Sequence, residues 1–410
     1  MTTLDTNALG ARAEAMATEL GAISAEPDRR VRLFLTPELR RAADLVAKWM
    51  REAGMSVSED ALGTVRGRHG DGKRLLIGSH LDTVIDAGKY DGPLGVICGI
   101  LAVDYFAKAG QKLPFGIDVL AFGDEEGSRF PSTMATSMAC AGVFEHETLP
   151  LADQKGVTLA DAIKAYGKDV ADIPAAAYKS SDVAGYVEVH IEQGPLLEAK
   201  NQPLGVVTGI VGQSRIKVTV TGMAGHAGTV PMTMRHDAYA GAAEMAIALE
   251  KIVREHPEDG MVGTVGRIEA SPGAVNIIPG KVTFTVDLRS LSDSLRNEAY
   301  SRFKTEAEKI AKARGLAVVF DLFHEIATAH MAPALQDTLA ASIKDVGGEP
   351  IRLPSGAGHD AQIMTQLCPS AMMFVRCRGG ISHNPAEFTS IPDMGLAVAA
   401  LIRFIERFKP

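Results

Sequence analysis

Apolar positions along this chain fall into short runs and regular periods, and polar residues mark where they stop. Thr36-Pro37-Glu38 opens a helical period that runs to about Glu52, with Thr as the cap, Pro in the first turn and Gly54 as the stop. Arg74 to Ile77 predicts a short buried strand ending in Gly78-Ser79-His80. Gly95 to Ala109 predicts a buried helix closed by Gly110, and Ile117 to Phe122 predicts the next strand, running into Gly123-Asp124-Glu125-Glu126. Tyr186 to His190 alternates and ends on a histidine. Strands alternating with helices predict an α/β domain with a largely parallel sheet. Ligand groups in such sheets gather where strands end and loops begin, and the polar residues of this chain gather at those places.

The texture changes from about Gly212. Arg215 to Thr221 alternates as a strand, Arg235 to Glu255 is helical, and Met261 to Glu269 and Lys281 to Leu288 are strands. Ser294 to Arg314 is helical again and Leu316 to Phe323 is a strand. The order β-α-β-β-α-β is that of a ferredoxin-like split unit. It predicts an inserted α+β domain at 209–327, serving as a lid or a dimerisation surface, within a catalytic domain made of 1–208 and 328–410. The second segment closes on an amphipathic helix from Met394 to Phe408.

Composition narrows the function classes. The 410 residues are enough for two domains, and 46% hydrophobic with 22% charged residues is ordinary for a globular core. The net charge of -8 is spread along the chain without a basic stretch, so neither a nucleic-acid surface nor an anionic-membrane surface is expected. Met1 to Leu20 has no signal-peptide pattern, and no apolar run is long enough to span a bilayer. Cys98, Cys140, Cys368 and Cys377 are scattered and form no C-x-x-C pair, which predicts buried free thiols in a reducing, cytoplasmic setting.

Candidate chemistry stands at strand ends and in glycine-rich turns: His80, Asp91, Glu125-Glu126, His190 and His383. Hydrolysis of an amide needs a strong nucleophile at neutral pH and positive charge where the carbonyl oxygen becomes negative. Two divalent ions about 3.5–4 Å apart supply both. Imidazole and carboxylate donors without thiolate suit Zn²⁺ or Mn²⁺, and also Co²⁺ or Ni²⁺. Asp91 is the natural bridging carboxylate, Glu126 a ligand, and Glu125 the neighbouring base. Asp82, two residues after His80, is placed to fix that imidazole's tautomer. A lone strand-end histidine is more often a hydrogen-bonded structural residue, and a Glu-Glu pair is usually solvated. Spacing alone leaves a metal site and a set of structural residues as equal readings.

The strings GSHLDTV, KYDGP, GDEEGSRF, HIEQGP, GHAGTVPM, PGAVNIIPG, PSGAGHDA and FVRCRGGISHNPAEF, in order from about residue 75 to 390, resemble the hydantoinase/carbamoylase family of amidohydrolases. That family lies within the aminoacylase/carboxypeptidase metallohydrolase superfamily. The resemblance implies one ion held by His80, Asp91 and His190 and a second held by Asp91, Glu126 and His383, with Glu125 as general acid/base. It implies a homodimer in which His226 reaches the neighbouring subunit's site and binds the developing oxyanion. Arg289 would clamp a substrate carboxylate, with Arg215, Asn276, Gln193 and the backbone at Gly358 as further contacts. The implied activity is cleavage of a ureido C–N bond in a small carboxylate-bearing acid, releasing ammonia and CO2. Val230 in GHAGTVPM, together with PGAVNIIPG, leans toward allantoate; N-carbamoyl-L-amino acids and β-ureidopropionate are the alternatives. An aminoacylase or dipeptidase is more distant, because the peptidase branches look to carry a carboxylate where this chain has His190. A non-catalytic relative would be expected to lose the base or a ligand, and all are present. The resemblance makes neither His359 nor Asp360 a ligand, and they read as a structural pair. His69, His146, His236, His256, His324 and His330 read as surface or structural residues.

Overall fold

The computed structural model describes residues 4–255 and 260–410, so His256 lies outside the described residues. The chain divides into two compact units, Met1–Thr208 with Met331–Pro410, and Gly209–His330. In chain order the first unit opens with α1 (Thr6–Gly21), α2 (Pro37–Glu52), β1 (Ser56–Glu59), β2 (Val65–His69), β3 (Arg74–His80), α3 (Pro93–Ala109) and β4 (Gly116–Phe122). Then come α4 (Ala135–Ala141), α5 (Leu159–Ala165), β5 (Val183–Ile191), α6 (Leu196–Ala199) and β6 (Leu204–Ile210). The second unit carries β7 (Gly212–Thr221), β8 (Gly225–His226), α7 (Ala238–Val253), β9 (Val262–Ser271), β10 (Ile277–Ile278), β11 (Lys281–Ser290), α8 (Asp293–Arg314), β12 (Ala317–Ile326) and β13 (Ala329–His330). The first unit resumes with α9 (Pro333–Asp345), β14 (Ile351–Ser355), α10 (Asp360–Met364), β15 (Ser370–Val375) and α11 (Ile391–Arg407).

The fold is mixed α/β around a large sheet in the order β1-β2-β4-β3-β5-β15-β6, with β14 also against β6. Its four central strands, β4, β3, β5 and β15, run parallel to one another. The flanks are antiparallel: β2 against β4 and β1 on one side, β6 against β15 on the other. The short strands β1 and β2 and the helix α1 fall where the apolar pattern is weak. β3 and β4 are buried along their whole length, as strands covered on both faces are. Helix α3 is apolar nearly all round because it is enclosed. Burying side chains such as Leu94, Ile97 and Ile100 there stabilises the unit by roughly 1.5–3 kcal/mol each. Helix α11 is the expected C-terminal helix, enclosed on most sides. It is buried from Asp393 to Ile405 except at Leu396, since α1, α3 and α9 all pack on it.

The inserted unit closes three residues later than the sequence reading placed it. Ala329 and His330 pair with Ile210 and Gly209, so entry and exit strands end together. Its antiparallel sheet runs β12-β7-β11-β9, with α7 and α8 in the β-α-β-β-α-β order. Inward residues Ile216, Val218, Phe284 and Val286 meet Met245, Leu249 and Phe303. Helix α7 starts at Ala238 rather than Arg235. The Asp237 carboxylate caps the amides of Tyr239 and Ala240, at 2.9 and 3.1 Å. The Arg235 guanidinium instead folds back on the carbonyls of Ala227 and Val230.

Candidate metal centre

Each of the four parallel strands delivers a polar group at its carboxyl end. β3 ends on His80, β5 carries His190 one residue before its end, β4 runs into Glu125-Glu126, and β15 leads into the segment with His383. Asp91 sits just before α3, where Gly92 at φ 81° turns the chain; a Cβ at Gly92 would lie 2.5 Å from the His80 ring. Among the described residues seven non-glycines have positive φ, and three of them, Asp124, Gln193 and His383, belong to this site. Strained backbone of this kind concentrates at functional sites.

The geometry brings the predicted ligands together around Asp91. Asp91 Oδ1 lies 3.2 Å from His190 Nε2 and 3.6 Å from His80 Nε2, and the two ring nitrogens are 3.5 Å apart. Asp91 Oδ2 lies 3.6 Å from His383 Nε2, which is 3.3 Å from Glu126 Oε2. Bond lengths of about 2.1 Å around a tetrahedral ion put neighbouring ligand atoms about 3.4 Å apart. Both clusters therefore have the spacing of divalent-metal ligands, and no thiolate is among them. His80 Nδ1 donates to the carbonyl of Asp82 at 3.0 Å and His190 Nδ1 to the carbonyl of Ile191 at 2.9 Å, leaving each Nε2 as the lone-pair donor.

Asp82 differs from the sequence reading in one respect. Its carboxylate stands 3.6 Å from His80 Nδ1, and its carbonyl makes the shorter contact. The carboxylate instead accepts the amides of Glu125 and Glu126, each at 3.2 Å, and so orients that pair. Glu125 Oε2 is 3.8 Å from His80 Nε2.

Charge is concentrated here away from water. Burial would raise the Asp91 pKa, but His190 and His80 outweigh it and hold the carboxyl well below its usual range. Burial, then Asp91, push Glu126 up to about 8. Burial raises Glu125 well above the ordinary value; His80 opposes this, and Glu126, Asp360 and Asp82 reinforce it. Burial would lower His80, but Asp82, Asp91 and Glu125 raise it well above its ordinary value. Carboxylates crowded in this way are stabilised by positive charge, which divalent cations provide.

Sequence reasoning missed several supporting residues. Arg32 is fully buried; its Nε donates to the carbonyl of Leu81 at 2.6 Å and its Nη1 to Leu20 and Ile23, tying down the segment after His80. Ser382 donates to Asp91 Oδ2. Glu387 accepts the amides of Tyr90 and Asp91. Gln193, expected to touch substrate, donates from Nε2 to Asp91 Oδ2 at 2.8 Å. His359 is buried edge-on to His190, ring centroids 4.5 Å apart, with Nε2 2.8 Å from Ser355 Oγ. Gly358 is exposed on the loop before α10.

The inserted unit places its own predicted residues in two groups. His226 on β8 and Asn276, next to β10, lie side by side, since His226 pairs with Ile277 and the Asn276 carbonyl accepts the Ala227 amide at 2.9 Å. His226 Nδ1 accepts the Gly228 amide at 3.0 Å, which leaves Nε2 carrying the proton. Arg215 and Arg289 share the sheet face turned away from α7 and α8. Arg289 is bidentate to Asp287, at 2.9 and 3.0 Å, and Arg215 Nε is 3.5 Å from the same carboxylate.

The profile of the family described as Peptidase family M20/M25/M40 matches residues 76–407. An allantoate deiminase of Arabidopsis thaliana is 42% identical over 423 residues, which cover 95% of this chain and 80% of that protein. An N-carbamoyl-L-amino acid amidohydrolase of Geobacillus stearothermophilus is 41% identical over 388 residues, covering 93% of this chain and 94% of that one. A crystal structure of a hydantoinase/carbamoylase-family amidase from Burkholderia multivorans superimposes with a TM-score of 0.90 at 32% identity, covering 97% of both chains.

Proposed function

The chain belongs to the hydantoinase/carbamoylase amidohydrolases within peptidase family M20/M25/M40, and from that premise we propose that it hydrolyses the ureido C–N bond of allantoate, releasing ammonia and CO2. It is a hydrolase of carbon–nitrogen bonds. One observation carries the site assignment: the two oxygens of Asp91 face two separate donor clusters. His80, Asp91 and His190 would hold one divalent ion, and Asp91, Glu126 and His383 a second; Zn²⁺ or Mn²⁺ suits these donors, and Co²⁺ or Ni²⁺ also fits them. When bound, the ions supply hydroxide-strength nucleophilicity near neutral pH and positive charge for the oxyanion.

The chain's own residues do the rest. Glu125 takes the proton of the attacking water at a carboxylate oxygen and hands it to the leaving nitrogen. In a homodimer, His226 of the partner subunit donates from Nε2 to the carbonyl oxygen as it turns negative. Arg289 and Arg215 bind the substrate carboxylate, while Asn276, Gln193 and the backbone at Gly358 bind ureido groups. The unit Gly209–His330 then serves as the lid and dimerisation domain. Among the described residues no helix is long and apolar enough to cross a membrane. Four buried, unpaired cysteines support a reducing, cytoplasmic setting.

The substrate choice rests on the allantoate deiminase relative. The second relative favours N-carbamoyl-L-amino acids as the other reading; N-carbamoyl-β-alanine follows, and an aminoacylase or dipeptidase is disfavoured by His190. Metal-loaded protein incubated with allantoate, N-carbamoyl-L-amino acids, N-carbamoyl-β-alanine and an N-acetyl amino acid tests this by ammonia release. Release from allantoate alone is expected. Release only from carbamoyl amino acids moves the substrate and keeps the chemistry. Acetate release without ammonia overturns the ureido reading.

A further inference from the structure

We propose that Glu387 is the positioning residue of the Asp91 carboxylate, pinning the Asp91 turn to the segment that carries His383. The inference rests on the reading that Asp91 serves both ions. The two residues are 296 positions apart, yet Glu387 Oε1 accepts the amides of Tyr90 at 2.8 Å and Asp91 at 3.2 Å. Glu387 Oε2 lies 3.4 Å from Ser382 Oγ, and that hydroxyl donates to Asp91 Oδ2. Glu387 therefore holds the main chain of Asp91 directly, and Ser382, which donates to the Asp91 side chain, lies beside it.

The fit is close and dry. Glu387 is 6% exposed, and a buried carboxylate persists only where donors meet it. A Cβ at Gly88 would lie 2.1 Å from Glu387 Cδ, so the 88–91 turn closes directly onto the carboxylate. The other side of that turn is tied to α1: Lys89 Nζ reaches Glu14 Oε1 at 2.5 Å and Tyr90 donates its hydroxyl to Glu14 Oε2 at 3.0 Å. On its own segment Glu387 is fixed by a tight turn, its amide donating to the Asn384 carbonyl at 3.0 Å. Arm length and an acceptor oxygen are thus what the site requires of position 387. Loss of a partner that orients a metal ligand typically costs 10- to 100-fold in metal affinity.

The test uses chelator-stripped full-length protein titrated with Zn²⁺ or Mn²⁺ against a competing chromophoric chelator, with the metal-free melting midpoint of each variant recorded alongside. Glu387→Ala removes the acceptor, Glu387→Asp keeps the charge but shortens the arm, and Glu387→Gln keeps the arm and one acceptor oxygen. The expected result is at least about tenfold weaker binding in Glu387→Ala and Glu387→Asp, with Glu387→Gln within about threefold of wild type. The metal-free midpoints of the Asp and Gln variants should coincide. Should Glu387→Ala fail to fold, the Asp and Gln variants still decide the matter. Wild-type affinity in Glu387→Asp, or losses that merely follow the melting midpoint, overturns the proposal while the metal reading stands. Failure of the wild type itself to bind metal overturns both.

Discussion

The candidate polar groups around Asp91 and those of the second unit differ in exposure, with His383, half exposed, as the exception in the first unit. In the α/β unit, His80, His190 and Asp91 are at most 5% exposed; the two imidazoles are oriented by the nearby carbonyls of Asp82 and Ile191, and Asp91 by Gln193, 102 residues away. In the inserted unit, His226, Asn276 and Arg215 are exposed, and Arg289 leans on its near neighbour Asp287. Chemistry on a stable bond needs fixed geometry, because a small displacement at the reacting centre is costly. Groups that meet a substrate on closure must be reachable beforehand. Under the proposed function, burial in the first unit suits the former requirement and exposure in the second suits the latter.

Breaking the buried side should have the largest effect. Glu125→Gln should bind metal as the wild type does and lose roughly 10²- to 10⁴-fold in kcat, read by steady-state ammonia release. Near-normal turnover would remove Glu125 from its role. On the exposed side, Arg289→Lys should raise KM by about tenfold with a smaller change in kcat, since a point charge replaces a planar fork. A loss confined to kcat would place Arg289 at the reacting centre instead and erase the contrast between the units.

The smallest expected effect sharpens the comparison through pH. Burial opposes ionisation of Asp287, but hydrogen bonds from Arg289 and Gln213 and the charges of Arg289 and Arg215 hold its pKa below the ordinary value. A depressed folded pKa means that the stabilisation is present above the unfolded value of about 3.9 and is lost as pH falls through the folded value. Asp287→Asn should therefore flatten the acid limb of the melting profile by less than one proton, with little change at pH 7. An unchanged acid limb would show that the Asp287–Arg289 contact is not maintained in solution.

Much of this was legible along the chain where the signal was local. Thr36-Pro37 marked the start of α2, and its hydroxyl caps the Leu39 amide at 3.3 Å. Apolar runs marked β3 and β4, and the glycine-rich turns after them marked the candidate ligands. The antiparallel flanks were not legible, since strand direction at a sheet edge depends on pairing and not on residue pattern. Arg32 and Glu387 were hidden for a related reason: their partners lie 49 and 296 residues away. Asp82 lies beside His80, but which of its oxygens meets the imidazole is a matter of backbone course.

The most direct test of the two-cluster account is the number of divalent ions retained per chain after dialysis, measured by elemental analysis for wild type, His190→Ala and His383→Ala. The account predicts two ions for wild type and no more than one for each variant, because each histidine serves a different cluster while Asp91 serves both. One ion in the wild type, or two retained in either variant, would contradict it.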